Sequence, residues 1–309
     1  MQALLSDIPD DPSQLDDYLA AHEARYNLKP GTEAQIVWHG EAGQKTDIAL
    51  VYLHGFRASH PEGNPVHKTI AKLFGWNLYL SRLQEHGISD PYPLLNLTED
   101  KLIHSAWTAF EIGRRIGKKV IIMGTSTGGS LGLYLAAQPE TRKKLSALLL
   151  YSPLIAFYGL KQKALTNPIA RKAMSIIPGP KYLIETEGTT YAEDHIWNKR
   201  YTLGGVLALG AFVEQTMRKS IFEQVKCPVF CGYYYKNQQE QDMVVSVPAI
   251  KNMVNQLGTR AQFVNSINFP GAKNHVICSS LVSKSVSQVI ERTKFFLKDI
   301  GSQETSKNK

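Results

Sequence analysis

The stretch Gly124-Thr125-Ser126-Thr127-Gly128 decides the fold, because it joins an apolar run to a helical one. The preceding Val120-Ile121-Ile122-Met123 is typical of a buried strand, and the run 129–137 has the composition of a helix. A serine at such a sharp turn is held in a strained conformation, and its hydroxyl projects from the turn. The turn is sterically possible only if the residues two before and two after the serine are very small, as Gly124 and Gly128 are. We therefore predict that Ser126 is a nucleophile. A glycine-rich turn with an idle serine is the alternative.

A nucleophilic serine needs a base, and His275 is the candidate. It lies in a turn that follows the strand-like run 262–269 and precedes a C-terminal helix predicted over 280–297. The order serine, acid, histidine along the chain is the one used by nucleophiles at strand-to-helix turns. His54 and His86 also follow predicted strands, but they come before the serine, and a role in shaping turns is favoured for them.

The acid that orients the histidine is predicted to be Asp242, which follows a strand predicted over 228–235. A carboxylate there can accept the Nδ1 proton of the histidine and stabilise the imidazolium that forms when the serine is deprotonated. Glu240, two residues earlier, is the rival. Either carboxylate could instead only cap the helix predicted over 245–257.

Two backbone amides are expected to form an oxyanion hole, which stabilises the negative charge that develops on a carbonyl oxygen under attack. One belongs to Thr127, directly after the nucleophile, and the other to the loop that follows a strand predicted over 48–53. In that loop the amide of Phe56 is the preferred donor and that of Arg57 the second choice. The helix that begins at Ser126 adds its positive N-terminal end to the same place.

With these residues in this order, the sequence resembles the α/β-hydrolase superfamily, and within it the serine esterases and monoacylglycerol lipase-like enzymes. The resemblance runs from about Asp47 to Ile300 and includes the following pieces besides the Ser126 turn: Leu53-His54-Gly55-Phe56, Glu85-His86-Gly87-Ile88-Ser89, Asp242-Met243-Val244-Val245 and Asn274-His275-Val276. It implies cleavage of carboxylic esters through an acyl-enzyme, without a metal or an organic cofactor. The acid loop departs from the family pattern, because residues 233–241 separate the strand-ending glycine from Asp242.

Alternating strand-like and helical runs predict an α/β-hydrolase fold with a mostly parallel twisted sheet flanked by helices. The runs 32–38 and 47–53 are expected to pair antiparallel across the turn 40–43, and the run 146–151 is expected to be the sixth strand. The alternation breaks between 154 and 225, where several helical patterns and no strand pattern occur. This predicts a helical cap over 154–225, inserted after the sixth strand between core segments 1–153 and 226–300, with a polar tail over 301–309.

One apolar stripe in the predicted cap recurs at helical spacing. It consists of Leu203, Val206, Leu207, Gly210, Val213 and Met217. The stripe could simply pack on the core, but a cap over the serine would also line an acyl pocket with its apolar side chains. The sequence thus predicts a hydrolase of medium-chain or monoacylglycerol-like esters. Cleavage of a thioester, an amide or a carbon-carbon bond, or a silent ligand-binding protein of the same fold, are the alternatives.

Composition narrows the class of protein. The 309 residues are 43% hydrophobic, which is enough to bury a large core without a second domain. The three cysteines, Cys227, Cys231 and Cys278, have no metal-ligand spacing, and with no secretory segment they predict reduced thiols and a cytoplasmic location.

Charge bears on partners. The net charge of +8 is dispersed, with no basic patch interleaved with aromatic residues, so a small-molecule ester is the expected partner and nucleic acid is not. The positive balance leaves room for weak contact with an anionic membrane surface. The longest uncharged apolar stretch, 201–213, is too short to cross a bilayer. The sequence leaves the oligomeric state open.

Overall fold

A central sheet organises the molecule, of which the computed structural model describes residues 7–159, 164–186 and 190–307. Seven of the described strands form this sheet: β1 (Gln35–Val37), β2 (Thr46–Leu53), β3 (Asn77–Leu80), β4 (Gly117–Thr125), β5 (Leu145–Tyr151), β8 (Val229–Tyr233) and β9 (Val264–Asn268). Their order is β1-β3-β2-β4-β5-β8-β9. β1 runs antiparallel to β3, and the remaining neighbours in the sheet are parallel.

Helices cover both faces of the sheet, because the side chains of a strand point alternately to opposite faces. The covering helices are α1 (Leu15–Glu23), α2 (Val66–Phe74), α3 (Glu99–Ile116), α4 (Thr127–Ala137), α9 (Val247–Gln256) and α10 (Val286–Lys307). In β4, Val120 and Ile122 join a buried cluster with residues of α3 and α4. Ile121 and Met123 join a second cluster with residues of α2 and α10. Burial on both faces explains why this strand is apolar without alternation.

The prediction that the first two strands pair with each other is wrong. Ile36 of β1 lies opposite Tyr79 of β3, whereas β2 lies between β3 and β4 and is parallel to both. The physical reason is burial: residues 49–53 of β2 are buried on both faces, which suits a central strand. The three-residue β1, with Gln35 and Val37 exposed, lies at the edge.

Other boundaries also differ from the sequence prediction. The run predicted as the sixth strand is β5, the fifth described strand along the chain. The last helix begins at Val286 rather than at residue 280 and continues to Lys307, so most of the predicted tail is helical. Residues 308 and 309 of that tail lie outside the described residues.

The segment between β5 and β8 is mostly helical. It contains α5 (Pro168–Ile176), β6 (Leu183–Glu185), α6 (Tyr191–Ile196), β7 (Arg200–Thr202), α7 (Leu203–Thr216) and α8 (Lys219–Phe222). The expectation of no strand here is wrong, because β6 and β7 pair antiparallel as a separate two-stranded sheet. Strands of three residues are too short to produce a recognisable alternation. Residues 160–163 and 187–189 of the predicted cap lie outside the described residues, and its boundaries stay a prediction.

No helix within the described ranges combines the length and the apolar character needed to cross a membrane.

Candidate active site

Ser126 lies at the junction of β4 and α4 with φ 53° and ψ −116°. A positive φ at a non-glycine residue costs on the order of 1–3 kcal/mol, and such strain persists only where the surroundings enforce it. The end of β5 supplies that constraint, because the Ser126 amide donates to the carbonyl of Tyr151 at 3.0 Å. The amide of Leu154 donates to the Ser126 carbonyl at 3.1 Å. The serine side chain is therefore fixed at the carboxyl end of the sheet.

The two glycines of the turn meet the steric requirement that the sequence predicts. A Cβ on Gly124 would lie 2.4 Å from the backbone of Gly128. A Cβ on Gly128 would lie 2.0 Å from the carbonyl oxygen of Leu53 at the end of β2. Any larger residue would push the helix away from the strands and move the serine.

His275 and Asp242 meet directly. His275 Nδ1 lies 2.6 Å from Asp242 Oδ2. The other carboxylate oxygen accepts hydrogen bonds from the amides of Val244 at 2.9 Å and Val245 at 3.0 Å. Because an ionised carboxylate only accepts, the Nδ1 atom carries the proton, and Nε2 is left to accept one from a nucleophile.

Charge complementarity outweighs burial in this pair. Burial alone would raise the pKa of Asp242, which is 0% exposed, but His275 and the two amides hold the pKa below its ordinary value. Burial likewise opposes the charged form of His275, yet the Asp242 carboxylate raises the pKa of the imidazole. The acid therefore stays ionised and favours the imidazolium.

Glu240, the rival acid, lies elsewhere. Its Oε2 accepts a hydrogen bond from Lys236 Nζ at 2.7 Å on the surface. The amide of Lys236 donates to the Glu240 carbonyl at 2.9 Å, so the residues that interrupt the family pattern close a compact loop. Tyr235 pairs with Gln241 beyond it, which brings Asp242 back to the strand end. Neither carboxylate caps α9, because Ser246 does so.

The loop after β2 passes next to the nucleophile. A Cβ on Gly55 would lie 3.3 Å from Ser126 Cβ. Within the described ranges, the amides of Phe56 and Thr127 donate to no protein acceptor, which leaves both available to an oxyanion. His54 shapes this loop: its Nε2 accepts from the amide of Leu83 at 3.0 Å, so its Nδ1 donates to the Gly55 carbonyl at 2.9 Å.

The described structure contains no hydrogen bond between the Ser126 hydroxyl and His275. Catalytic hydrogen bonds are often long in the absence of substrate and tighten when it binds. The structure thus brings together the histidine with Asp242, and the Gly55 loop with the serine.

Solved structures share this architecture. One of the metagenome-derived lipolytic enzymes LipS and LipT superposes with a TM-score of 0.68 at 15% identity, over 88% of this chain and 99% of that one. The chain has the α/β-hydrolase fold.

Two further solved structures have the same fold. The monoacylglycerol lipase of Paleococcus ferrophilus gives a TM-score of 0.63 at 14% identity, over 86% of this chain and 99% of that one. A soluble variant of the monoglyceride lipase of Saccharomyces cerevisiae, in complex with a substrate analogue, gives 0.58 at 15% identity, over 87% of this chain and 91% of that one. No family model and no curated protein sequence matches the chain. At these identities the similarity establishes the fold.

A cavity of about 340 Å³ adjoins His275. Its walls include Arg57, Trp197, Met243, His275 and Val276. Arg57 follows the expected oxyanion donor and donates from Nη1 to the carbonyl of Asn198 at 3.0 Å, so the segment between β5 and β8 is bound to the loop.

Two residues of this site escaped the sequence prediction. Glu62 is 1% exposed and lies beside the oxyanion loop, and Trp197 donates to it from the segment between β5 and β8. Burial raises the pKa of Glu62 to about 7, despite the hydrogen bonds it accepts. Sequence reasoning missed Glu62 because a glutamate in a turn of small and polar residues gives no sign of burial. It missed Trp197 because that residue lies far from Glu62 along the chain, after a short helix.

Among the described residues, no cluster of three or more histidine, cysteine or acidic side chains is arranged to hold a metal ion. The three cysteines are free, and burial raises the pKa of Cys231 to about 12, which keeps that thiol protonated.

Proposed function

We propose that this chain is a serine hydrolase that cleaves carboxylic esters through an acyl-enzyme intermediate. The strained Ser126 beside the uncommitted amides of Phe56 and Thr127 carries the proposal, because this geometry suits attack on a carbonyl. The contact between His275 and Asp242 supports it as the base and its orienting acid. The solved lipases and esterases of the same fold support the ester as the scissile group.

In the first half-reaction, Ser126 Oγ attacks the carbonyl carbon while His275 Nε2 takes the hydroxyl proton. The carbonyl oxygen becomes an oxyanion and accepts hydrogen bonds from the amides of Phe56 and Thr127. Asp242 stabilises the imidazolium through Nδ1. When the tetrahedral intermediate collapses, the carbon-oxygen bond to the alcohol breaks, and the alcohol leaves with the proton from Nε2.

Water completes the cycle. His275 Nε2 removes a proton from a water molecule as its oxygen attacks the acyl carbon, and the oxyanion forms again in the same hole. Collapse breaks the bond to Ser126 Oγ, which recovers the proton, and the carboxylic acid is released. No electron transfer is involved, and water is the only co-reactant.

We extend the proposal to medium-chain or monoacylglycerol-like esters, in a cytoplasmic enzyme. The α7 helix begins next to the oxyanion loop, since a Cβ on Gly205 would lie 3.5 Å from Phe56 Cζ. Of the stripe that the sequence predicts, Leu203 and Val213 are buried, whereas Val206 and Leu207 keep part of their surface exposed. Partly exposed apolar side chains on this helix are suited to bind an acyl chain.

The test is turnover of p-nitrophenyl esters of increasing chain length by the wild type and two variants. Ser126→Ala and His275→Ala should each lower kcat about a million-fold, because members of a triad act as a unit. kcat/KM should rise from acetyl to medium-chain esters, by at most about fourfold for each methylene buried. Near-wild-type turnover in either variant would refute the mechanism. A preference for acetyl esters would refute only the proposed acyl pocket.

A further inference from the structure

The carboxyl group of Glu62 is enclosed by three parts of the molecule. Oε1 accepts from the amide of Gly55 in the oxyanion loop, and the hydroxyl of Tyr52 in β2 donates to the same oxygen at 3.4 Å. Oε2 accepts from the indole Nε1 of Trp197 at 3.0 Å. One buried side chain thus joins the sheet, the loop beside the nucleophile and the segment between β5 and β8.

This carboxyl group is close to the reacting groups. The position of a Cβ on Gly55 lies 3.2 Å from Glu62 Oε1 and 3.3 Å from Ser126 Cβ, so a single glycine separates the carboxyl group from the nucleophile. Glu62 also interacts electrostatically with His275, and the attraction favours the charged form of both groups.

The hydrogen-bond pattern favours the carboxylate. Each oxygen accepts from a different N–H group, which a carboxylate does without placing a proton on either oxygen. Burial opposes ionisation and raises the pKa to about 7. The titratable and charged groups that face Glu62 are Tyr52 from β2, Arg57 from the oxyanion loop, and His275 and Cys278 from the segment after β9.

We propose that Glu62 is a positioning residue of the serine hydrolase, which fixes the oxyanion loop through the Gly55 amide and places a second negative charge near His275. The inference rests on the proposed function. The hydrogen bond to Glu62 fixes the His54–Gly55 peptide, and His54 Nδ1 fixes the carbonyl of the next peptide, which carries the Phe56 amide. Glu62 thus helps to hold the Phe56 amide in place for the oxyanion. The charge supplements Asp242 when the imidazolium forms.

The test must remove the charge without creating a clash. Glu62→Gln alone would turn the amide NH₂ of glutamine toward either Gly55 or Trp197, both of which are donors. We therefore compare Trp197→Phe with the double variant Glu62→Gln/Trp197→Phe, in which the glutamine oxygen can still accept from Gly55. Glu240→Gln, on the surface, is the matched control for loss of one carboxylate.

Between Trp197→Phe and the double variant, kcat for an activated ester should fall about tenfold with little change in KM, less than the hundredfold or more lost with an oxyanion donor. The acid limb of the kcat/KM profile should move to lower pH, because the His275 imidazolium loses a stabilising charge. A merely structural role would not move that limb. Glu240→Gln should leave both quantities unchanged.

An unchanged kcat and an unchanged acid limb in the double variant would overturn the inference. If the double variant does not fold, Trp197→Phe alone decides: it removes a donor that favours the ionised form, so kcat should reach its plateau at higher pH than in the wild type. A plateau at the same pH would overturn the inference. A wild type that hydrolyses no ester and takes up no fluorophosphonate would instead remove the proposed function and this inference with it.

Discussion

Replacing Ser126 by glycine should stabilise the protein while abolishing turnover. The backbone at this position has φ 53°, a region that a residue with a Cβ occupies only under strain. Glycine adopts it without that cost, whereas alanine keeps the Cβ and therefore the strain. The comparison of Ser126→Gly with Ser126→Ala isolates the backbone, because both variants lack the hydroxyl.

The size of the effect follows from two opposing contributions. Relief of strain at one residue is worth about 1–3 kcal/mol. The greater freedom of glycine in the unfolded chain costs about 0.5–1 kcal/mol. Loss of the hydroxyl changes little, because its oxygen has no hydrogen-bond partner among the described residues and the side chain is 8% exposed. With the middle of each range, about 2 and about 0.75 kcal/mol, Ser126→Gly should be more stable than Ser126→Ala by about 1 kcal/mol.

Urea unfolding followed by circular dichroism measures this difference, provided that the dependence on urea concentration is the same in both variants. Both should show about a million-fold lower kcat than the wild type. If Ser126→Gly were equal to or less stable than Ser126→Ala, the backbone at residue 126 would not be strained in solution.

Three further predictions concern other residues. Asp242→Asn should lower kcat about ten-thousand-fold by favouring the wrong histidine tautomer, whereas Glu240→Gln should leave kcat nearly unchanged. If the two effects on the same ester were reversed, Glu240 would be the acid that orients His275. Burial raises the pKa of Glu23, but the ion pair with Arg82 helps to lower it to about 2. The free energy of unfolding should therefore fall by about 3 kcal/mol as the pH drops from about 4.5 to about 2. Urea unfolding of Glu23→Gln should lack this loss. Leu207→Trp should shorten the preferred acyl chain in the ester panel, and a change in stability alone would show that Leu207 belongs to the core.

Local chemistry made most of the fold predictable. The sharp turn at Ser126 needs small residues at two fixed positions, and both glycines are readable in the sequence. Strands buried on both faces appear as apolar runs, so β5 and the centre of β4 were located correctly. The structural comparisons confirm the α/β-hydrolase fold, while the roles of the site residues stay predictions.

Long-range pairing could not be derived in the same way. The partner of β1 depends on which strand lies beside it in the finished sheet, and a short turn between two strands wrongly suggested a hairpin. The strands β6 and β7 are held by each other and by their surroundings rather than by a pattern of their own. Glu62 is close to Trp197 only after 135 residues of chain have folded, and no local rule anticipates a buried carboxylate there.

Mass spectrometry after reaction with a fluorophosphonate shows whether Ser126 is an activated nucleophile. We expect one adduct per chain, located on the peptide that contains Ser126. The adduct should be absent from Ser126→Ala and form much more slowly in His275→Ala. If the wild type acquires no adduct, or if Ser126→Ala reacts as well as the wild type, Ser126 is not the nucleophile.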